Sequence, residues 1–276
     1  MNDRQRGSRL IFVGGAPRSG TTLIQNILDS YPTIYGGPEF DHVPTILALR
    51  KALLDSVASG RIEVFCDIED VDDAIGSFIE QLLLPTADKN NCDTLSEKSP
   101  MNIIAFVGLL DVFPSAHFFH VIRDPRATVS SLMQVAARAK QKNFPQSPFT
   151  RNVATAIQTI KQCDAVGFQA AAIAPGRVMR VLYERLVTDP ETVTKEMCAF
   201  LGVEWSPEML HPGQKRHAGE KALDGVWYGR EDYYRDPVTS EIDKWRRLLP
   251  IEHQNAVTQA FKGDENYKRL GYDFTG

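Results

Sequence analysis

Arg9-Leu10-Ile11-Phe12-Val13-Gly14-Gly15-Ala16-Pro17-Arg18-Ser19-Gly20-Thr21-Thr22-Leu23-Ile24-Gln25-Asn26-Ile27-Leu28 is the stretch that decides the fold. Its first five residues are a short β-favouring run, apolar after Arg9, that stops at two glycines, as a buried parallel strand does. From Thr21 the period changes: Leu23, Ile24, Ile27 and Leu28 share one helical face. A strand running through a short turn into a helix is the opening unit of a parallel α/β sheet.

The turn between them, Gly15 to Thr22, carries its own chemistry. A glycine-bounded loop at a helix start turns successive backbone N–H groups into one concavity at the positive end of the helix dipole, which suits anionic oxygens. The spacing G-x-x-x-x-G is that of a nucleotide phosphate loop, but Thr21 stands where such loops place lysine. Arg18 inside the loop supplies the positive charge instead, with a planar fork suited to a tetrahedral oxyanion. Loss of the lysine argues against ordinary ATP or GTP chemistry.

Outward from this unit, strands and helices alternate. Helices are predicted over Val43–Val57 and Val71–Leu84, a weak strand over Thr94–Lys98 and a helix opened by Pro100. A strong strand follows over Ala116–Ile122, then a helix from Pro125 and an alanine-rich helix over Val153–Ala174. Val178–Tyr183 reads as another strand, and Asp189-Pro190 opens the helix carrying Val193, Met197 and Leu201. The expectation is an α/β fold with a P-loop-type parallel sheet flanked by helices on both faces, forming one domain over 1–276. Lys140–Phe149 and Ser206–Val238 break this rhythm, and loops near 138–150 and 206–240 are expected to serve as lids or acceptor loops. The seven acids between Glu63 and Glu80, with no Lys or Arg among them, read as a solvated face.

Composition narrows the function classes. The 276 residues include 43% apolar and 24% charged ones, ordinary globular usage that excludes disorder and fibre. The net charge of −4, from 31 Lys+Arg against 35 Asp+Glu, runs opposite to that of a wholesale nucleic-acid binder. No apolar run approaches the ~20 residues of a membrane span, and the N-terminus has no signal-peptide pattern. Cys66, Cys92, Cys163 and Cys198 form no C-x-x-C, so neither a disulfide framework nor a zinc site is expected, and a cytoplasmic location suits them. His117 and His120, three apart on a strand, point to opposite faces and cannot share a metal.

Pro17-Arg18-Ser19-Gly20-Thr21-Thr22-Leu23 after a hydrophobic strand resembles the 5′-phosphosulfate loop of the sulfotransferases that use 3′-phosphoadenosine 5′-phosphosulfate (PAPS). The family's second element is a strand followed by Arg, with Ser eight residues on; Arg123 and Ser131 in Val121–Ser131 match it. In the family these two hold the cofactor's 3′-phosphate. Arg123 at a strand's carboxyl end and Ser131 two turns into the next helix can converge on one anion. From Arg123 to Arg151 there are six Lys or Arg and one acid, locally basic in an acidic chain. Tyr183-Glu184 through Asp189-Pro190 is similar to the family's Y-E-x-L-x-x-D-P stretch, whose tyrosine lies by the adenine. Lys244-Trp245 and Leu270-Gly271-Tyr272-Asp273 resemble its late elements.

Sulfuryl transfer needs a base for the acceptor hydroxyl and positive charge on the moving group. Sulfate carries less charge than a γ-phosphoryl group, so fixed Arg and Lys can replace Mg²⁺, and no metal is expected. Glu39, on the glycine- and proline-rich loop past the first helix, is the candidate base, with His42 as its rival. Protein-tyrosine sulfotransferases carry a catalytic glutamate here in a G-E-E-T-R stretch followed by I-P, which Val43-Pro44 continues. Lys98 matches a family lysine that follows a strand and precedes proline. Where that family has the second acid and the arginine, this chain has Pro38 and Asp41; the arginine helps hold acidic peptides.

The resemblance thus implies a PAPS-dependent sulfotransferase, nearest in motif to the tyrosine-sulfating branch. Arg18, Ser19, Gly20, Thr21 and Thr22 would hold the 5′-phosphosulfate, and Arg123, Ser131 and Tyr183 the rest of the nucleotide. Glu39, Lys98 and Arg18 would carry the chemistry, leaving 3′-phosphoadenosine 5′-phosphate (PAP) as product. The acceptor hydroxyl is open between a peptide tyrosine, a glycan and a small metabolite, no membrane or nucleic-acid partner is expected, and a homodimer is compatible. A small-molecule kinase with an unusual P-loop and a non-catalytic nucleotide-binding module are the alternatives.

Overall fold

Five parallel strands form one sheet in the order β2-β3-β1-β4-β5 in a computed structural model that describes residues 5–218, 225–227 and 235–275. They are β1 (Leu10–Gly15), β2 (Ile34–Gly36), β3 (Thr94–Lys98), β4 (His117–Ile122) and β5 (Val178–Leu182). Side chains on a strand alternate between faces, and the core divides accordingly. Leu10, Phe12, Phe118 and Val178 face one apolar cluster with α2 (Val43–Ala58), α3 (Ile68–Lys89), α4 (Phe106–Val112) and α6 (Val153–Ile173). Ile11, Val13, Phe119 and Val181 face a second cluster with α1 (Thr21–Asp29) and α8 (Pro190–Leu201). His117 and His120 follow the same rule: His117 packs on Phe200 of α8, and His120 bonds Asp164 of α6 at 3.0 Å. The central strands are hydrophobic on both sides because both sides are covered.

The helices start where local chemistry satisfies their first N–H groups. Asp124 caps α5 (Pro125–Gln141) and Asp189 caps α8, each followed by Pro at the first helical position. Reciprocal capping boxes open α3 at Asp67 and α6 at Asn152. Helix α1 is different: its cap is Gly20, no side chain caps it, and its first turn holds no acid. Its positive end therefore faces the loop with no acidic cap.

Several expectations change. The strand β2, three residues long and hidden between Pro32 and the Gly36-Gly37 pair, carries no readable signal. Pro100 opens a 3₁₀ segment (Pro100–Ala105) that leads into α4 rather than a single helix. Tyr183 opens the short helix α7 (Tyr183–Thr188) instead of ending the strand. Helix α5 runs on to Gln141, so the irregular segment before α6 is shorter than 138–150. The acidic run of α3 is partly structural: Asp72 pairs with Arg50 at 2.5 Å, Asp73 pairs with Arg6, and buried Glu80 accepts the Gly7 N–H at 2.9 Å. The segment after Ser206 is fixed on the second core cluster through Met209, and buried His217 pairs with Asp29 at 2.6 Å. The rest of the expected 206–240 loop lies largely outside the described residues; of it, 225–227 and 235–240 are described. Beyond it, α9 (Lys244–Leu248), α10 (Ile251–Phe261) and α11 (Glu265–Arg269) close the chain against α5 and α6. Among the described residues no helix is long and apolar enough to cross a membrane.

Candidate active site

The strands are in register, so their carboxyl ends lie level: Val13 is opposite Lys98, Gly15 opposite Val121, and Ile122 opposite Leu182. Chain connections leave β1 toward β2 and leave β4 toward β5, which puts the crevice of the fold between the ends of β1 and β4. Nearly every residue singled out from sequence stands on this rim. Arg18 follows β1, Glu39 follows β2, Lys98 ends β3, Arg123 follows β4 and Tyr183 follows β5. Ser131 is the exception, reaching the rim from α5.

The phosphate loop is built by close approach. A Cβ on Gly15 would lie 2.4 Å from the Val121 carbonyl oxygen, so the loop can pass the end of β4 only with glycine there. Arg18 adopts φ +74°, a left-handed conformation that non-glycine residues visit rarely and mostly where the surroundings fix them. Its side chain is anchored accordingly: Nε donates to Ser131 Oγ at 3.0 Å and Nη1 to the Trp227 carbonyl at 2.8 Å. Arg123 Nη1 donates to the Arg18 carbonyl at 3.3 Å, and its guanidinium lies 4.2 Å from the centre of the Tyr183 ring. The sequence-predicted nucleotide residues Arg18, Gly20, Thr22, Arg123, Ser131 and Tyr183 thus line one cavity.

The polar atoms of this cavity fit an anion. Arg123 Nε, in its lining, is buried and has no hydrogen-bond partner among the described residues; the predicted residues Ser19 and Thr21 do not line the cavity, though their hydroxyls, behind it in the loop, are likewise buried without a partner. Buried polar groups are ordinarily satisfied, so a guanidinium N–H left open in a cavity beside an uncapped helix start points to a missing acceptor oxygen. Arg138, Arg235 and Lys244 add positive charge to the lining, with Asp236 and Glu241 as the acids. Glu241 is held by Arg235 at 3.0 Å and Lys244 at 3.2 Å, while its backbone carbonyl accepts from Arg123 at 2.8 Å. Sequence reasoning missed Arg138 and Arg235 as lining residues. Arg138 was visible only as part of the basic run after Arg123, and Arg235 carried no signal.

Glu39 and Lys98 meet beside this cavity. Lys98 Nζ donates to Glu39 Oε1 and reaches Thr22 Oγ1 at 3.3 Å, so Thr22 joins the pair to the phosphate loop. Glu97, the residue before Lys98, does not pair with it but is buried on its own partners, Phe40, Ser99 and Asn102. The Lys98 side chain is 6% exposed and that of Glu39 33%, so the cation is enclosed and the carboxylate opens outward. Oε2 of Glu39 accepts no hydrogen bond from the described residues. His42, the rival base, is exposed at the start of α2 with its ring against Phe40, and it does not line the cavity. Among the described residues no group of His, Cys, Asp and Glu gathers as a metal site.

Comparison with known proteins agrees with this geometry. Residues 10–207 match the model of the sulfotransferase family. The chain is 29% identical to protein-tyrosine sulfotransferase A of Caenorhabditis elegans over 275 residues, covering 97% of this chain and 68% of the relative. It is 32% identical to protein-tyrosine sulfotransferase 2 of Gallus gallus over 270 residues, covering 96% and 69%. Among solved structures, the sulfotransferase domain of the Synechococcus PCC 7002 olefin synthase shares the fold, with TM-score 0.61, 21% identity and coverage of 96% and 94%. Mouse sulfotransferase SULT7A1 complexed with PAP does so at TM-score 0.55, 16% identity and coverage of 96% and 89%. A family match over most of the chain and a relative 32% identical along nearly its whole length place this protein in the sulfotransferase family.

Proposed function

We propose that this sulfotransferase takes its sulfuryl group from PAPS and delivers it to a phenolic hydroxyl, a peptide tyrosine in the first instance. The observation that carries the reading is the junction at Thr22, where the phosphate loop meets a buried lysine paired with a half-open carboxylate. The acceptor class rests on the tyrosine-sulfating relatives at 29–32% identity. When bound, PAPS supplies the sulfuryl group that passes to the acceptor oxygen, leaving PAP.

The protein's own part is binding, charge and proton transfer. Ser19, Thr21 and the N–H groups at the start of α1 hold the 5′ side, and Arg18 adds a fixed guanidinium. Arg123 and Ser131 hold the 3′-phosphate, with Tyr183 beneath the base. Glu39 removes the acceptor proton through Oε2 while Lys98 keeps Oε1 oriented and sets an ammonium beside the reacting group. The fixed cations of the cavity supply the charge that a metal would otherwise bring, and the reaction proceeds without one.

The test is calorimetric binding of PAP beside ADP and ATP in the absence of metal, followed by transfer from ³⁵S-labelled PAPS to tyrosine peptides and small phenols. Tight PAP binding with weak ADP and ATP binding, and label in the phenolic acceptors, is expected. ATP binding best, and only with Mg²⁺, would replace this reading with a kinase.

A further inference from the structure

Glu97 is a buried carboxylate that the chemistry above does not use. It precedes Lys98 on β3 and is 2% exposed. Oε1 accepts the Phe40 N–H at 2.9 Å and the Ser99 hydroxyl at 2.8 Å, and Oε2 accepts from the Asn102 amide. Burial pushes this carboxyl above the usual range, opposed by those three hydrogen bonds and by Lys98. A polar side chain buried in such a place is held there by its hydrogen bonds and asks for a reason beyond packing.

The reason lies in what it grips. The loop after β2 carries Glu39 and has no regular structure from Gly37 to Phe40. It is held at one end by Gln25 Nε2, which donates to the Gly37 carbonyl at 3.2 Å, and at the other by Glu97 on the Phe40 amide. Two successive residues of β3 therefore hold two successive residues of the loop, from opposite sides: Lys98 takes the Glu39 carboxylate and Glu97 takes the Phe40 N–H. The Phe40 amide shares its peptide plane with the Glu39 carbonyl, so a shift of that amide moves the Glu39 Cα directly.

We propose that Glu97 is a positioning residue for the general base, its Oε1 fixing the Phe40 amide so that the Glu39 carboxylate stands on Lys98 beside Thr22. This rests on Glu39 being the base. What matters is the reach of the side chain rather than its charge. Glutamine keeps that reach: its Oε1 can accept from Phe40 and Ser99, and its amide N–H can face Asn102. A flip of the Asn102 amide turns its Oδ1, now buried without a partner, toward that N–H. Aspartate keeps the charge but withdraws the carboxylate by one methylene.

The experiment compares Glu97→Gln with Glu97→Asp, alone and on Glu39→Gln, using labelled PAPS and the fastest acceptor of the panel above. Glu97→Gln is expected to keep turnover within about threefold, and Glu97→Asp to lose at least about tenfold while PAP affinity by calorimetry stays within about twofold. The Phe40 amide should exchange its hydrogen at least about tenfold faster in Glu97→Asp only, a readout that needs no acceptor. On Glu39→Gln, Glu97→Asp should cost less than about twofold more, because the residue it positions is already disabled. Full turnover in Glu97→Asp, a fall of PAP affinity in step with turnover, or an undiminished loss on Glu39→Gln would each overturn the proposal. Full turnover in Glu39→Gln itself, with Glu97 intact, would instead remove the base assignment.

Discussion

The ring of Tyr183 lies where a side chain on Gly20 would have to stand: a Cβ built there falls 2.5 Å from Tyr183 Cδ2. Gly20 also has φ +108°, a conformation that L-residues adopt only under strain. One position thus serves two demands, turning the loop into α1 and letting Tyr183 pack on it. Gly20→Ala should destabilise the protein by about 1–2 kcal/mol from the backbone alone and displace Tyr183 as well. Thermal denaturation and PAP calorimetry would show a lowered midpoint together with lost affinity. Removing the ring in the double variant Gly20→Ala/Tyr183→Ala should recover part of the midpoint and none of the affinity; full recovery of both would contradict the strain argument.

Glu39→Gln retains a hydrogen-bonding group beside Lys98 but no proton acceptor of carboxylate strength. Turnover should fall by about 10²–10⁴ with PAP affinity nearly unchanged. Lys98→Ala differs, since it strips the partner from Glu39 and the contact to Thr22 together. It should lower turnover and PAP affinity alike. A steady-state comparison of the two variants separates proton removal from charge at the transferring group.

Arg123→Ala removes the guanidinium that bridges the phosphate loop, Tyr183 and the Glu241 carbonyl. A charge-assisted hydrogen bond lost from a phosphate is worth about 1.5–3 kcal/mol, or roughly ten- to a hundredfold in affinity. PAP binding should weaken by that factor while ADP, which lacks the 3′-phosphate, changes little. Equal weakening of both nucleotides in calorimetry would mean that Arg123 supports the fold of the loop and not the 3′-phosphate.

The sheet was readable because β1 and β4 are apolar runs ending at glycine or arginine, each followed by a helix of clear period, whereas β3 is polar at four of its five positions and gave only a weak signal. The rim residues were readable because a parallel sheet places functional groups after its strand ends, and four of these ends carry a motif. What escaped was set by partners distant in sequence. The strand β2 is three residues long and exists through its pairing with β3, which propensity cannot see. Arg138 and Arg235 enter the cavity only because α5 and the 235–244 segment pack over it. Strand alternation turns Glu97 to the face opposite Lys98, but the partners that bury it there, the Phe40 amide 57 positions away among them, cannot be read from sequence. Asp72, Asp73 and Glu80 looked solvated because their partners Arg50, Arg6 and the Gly7 amide lie at least 22 positions away.

Glu241 makes the cavity sensitive to acid. Burial pushes its carboxyl up, but Lys244 and Arg235 outweigh this and hold it below the ordinary value of 4.5. A depressed carboxyl contributes stability above its unfolded value and loses it as pH falls through the folded one. Wild type should therefore be more stable than Glu241→Gln at pH 7, by at most about 1 kcal/mol for a partly exposed pair. The gap should close as the pH falls below 4.5 and on through the depressed value of the folded protein. Thermal midpoints of both proteins at the two pH values check this, and a gap independent of pH would show that the ion pairs contribute nothing.

Asp41 bears on the choice of acceptor. It is exposed, two residues past the candidate base, where the tyrosine-sulfating pattern has an arginine that helps hold acidic peptides. An anion at the mouth of the acceptor side repels acidic flanks, and charge complementarity at such a rim acts mainly on association. The wild-type enzyme should prefer tyrosine peptides with neutral or basic flanks over acidic ones. Asp41→Arg reverses the sign by two charges and should raise kcat/KM for an acidic tyrosine peptide relative to a neutral one by up to about tenfold at low salt. Because Asp41 is exposed, the gain should shrink as ionic strength rises and the Debye length falls below about 10 Å. Steady-state rates for paired acidic and neutral peptides at two salt concentrations are sufficient. A ratio that Asp41→Arg leaves unmoved would place acceptor recognition on other loops, with the 142–150 segment after α5 the first to examine.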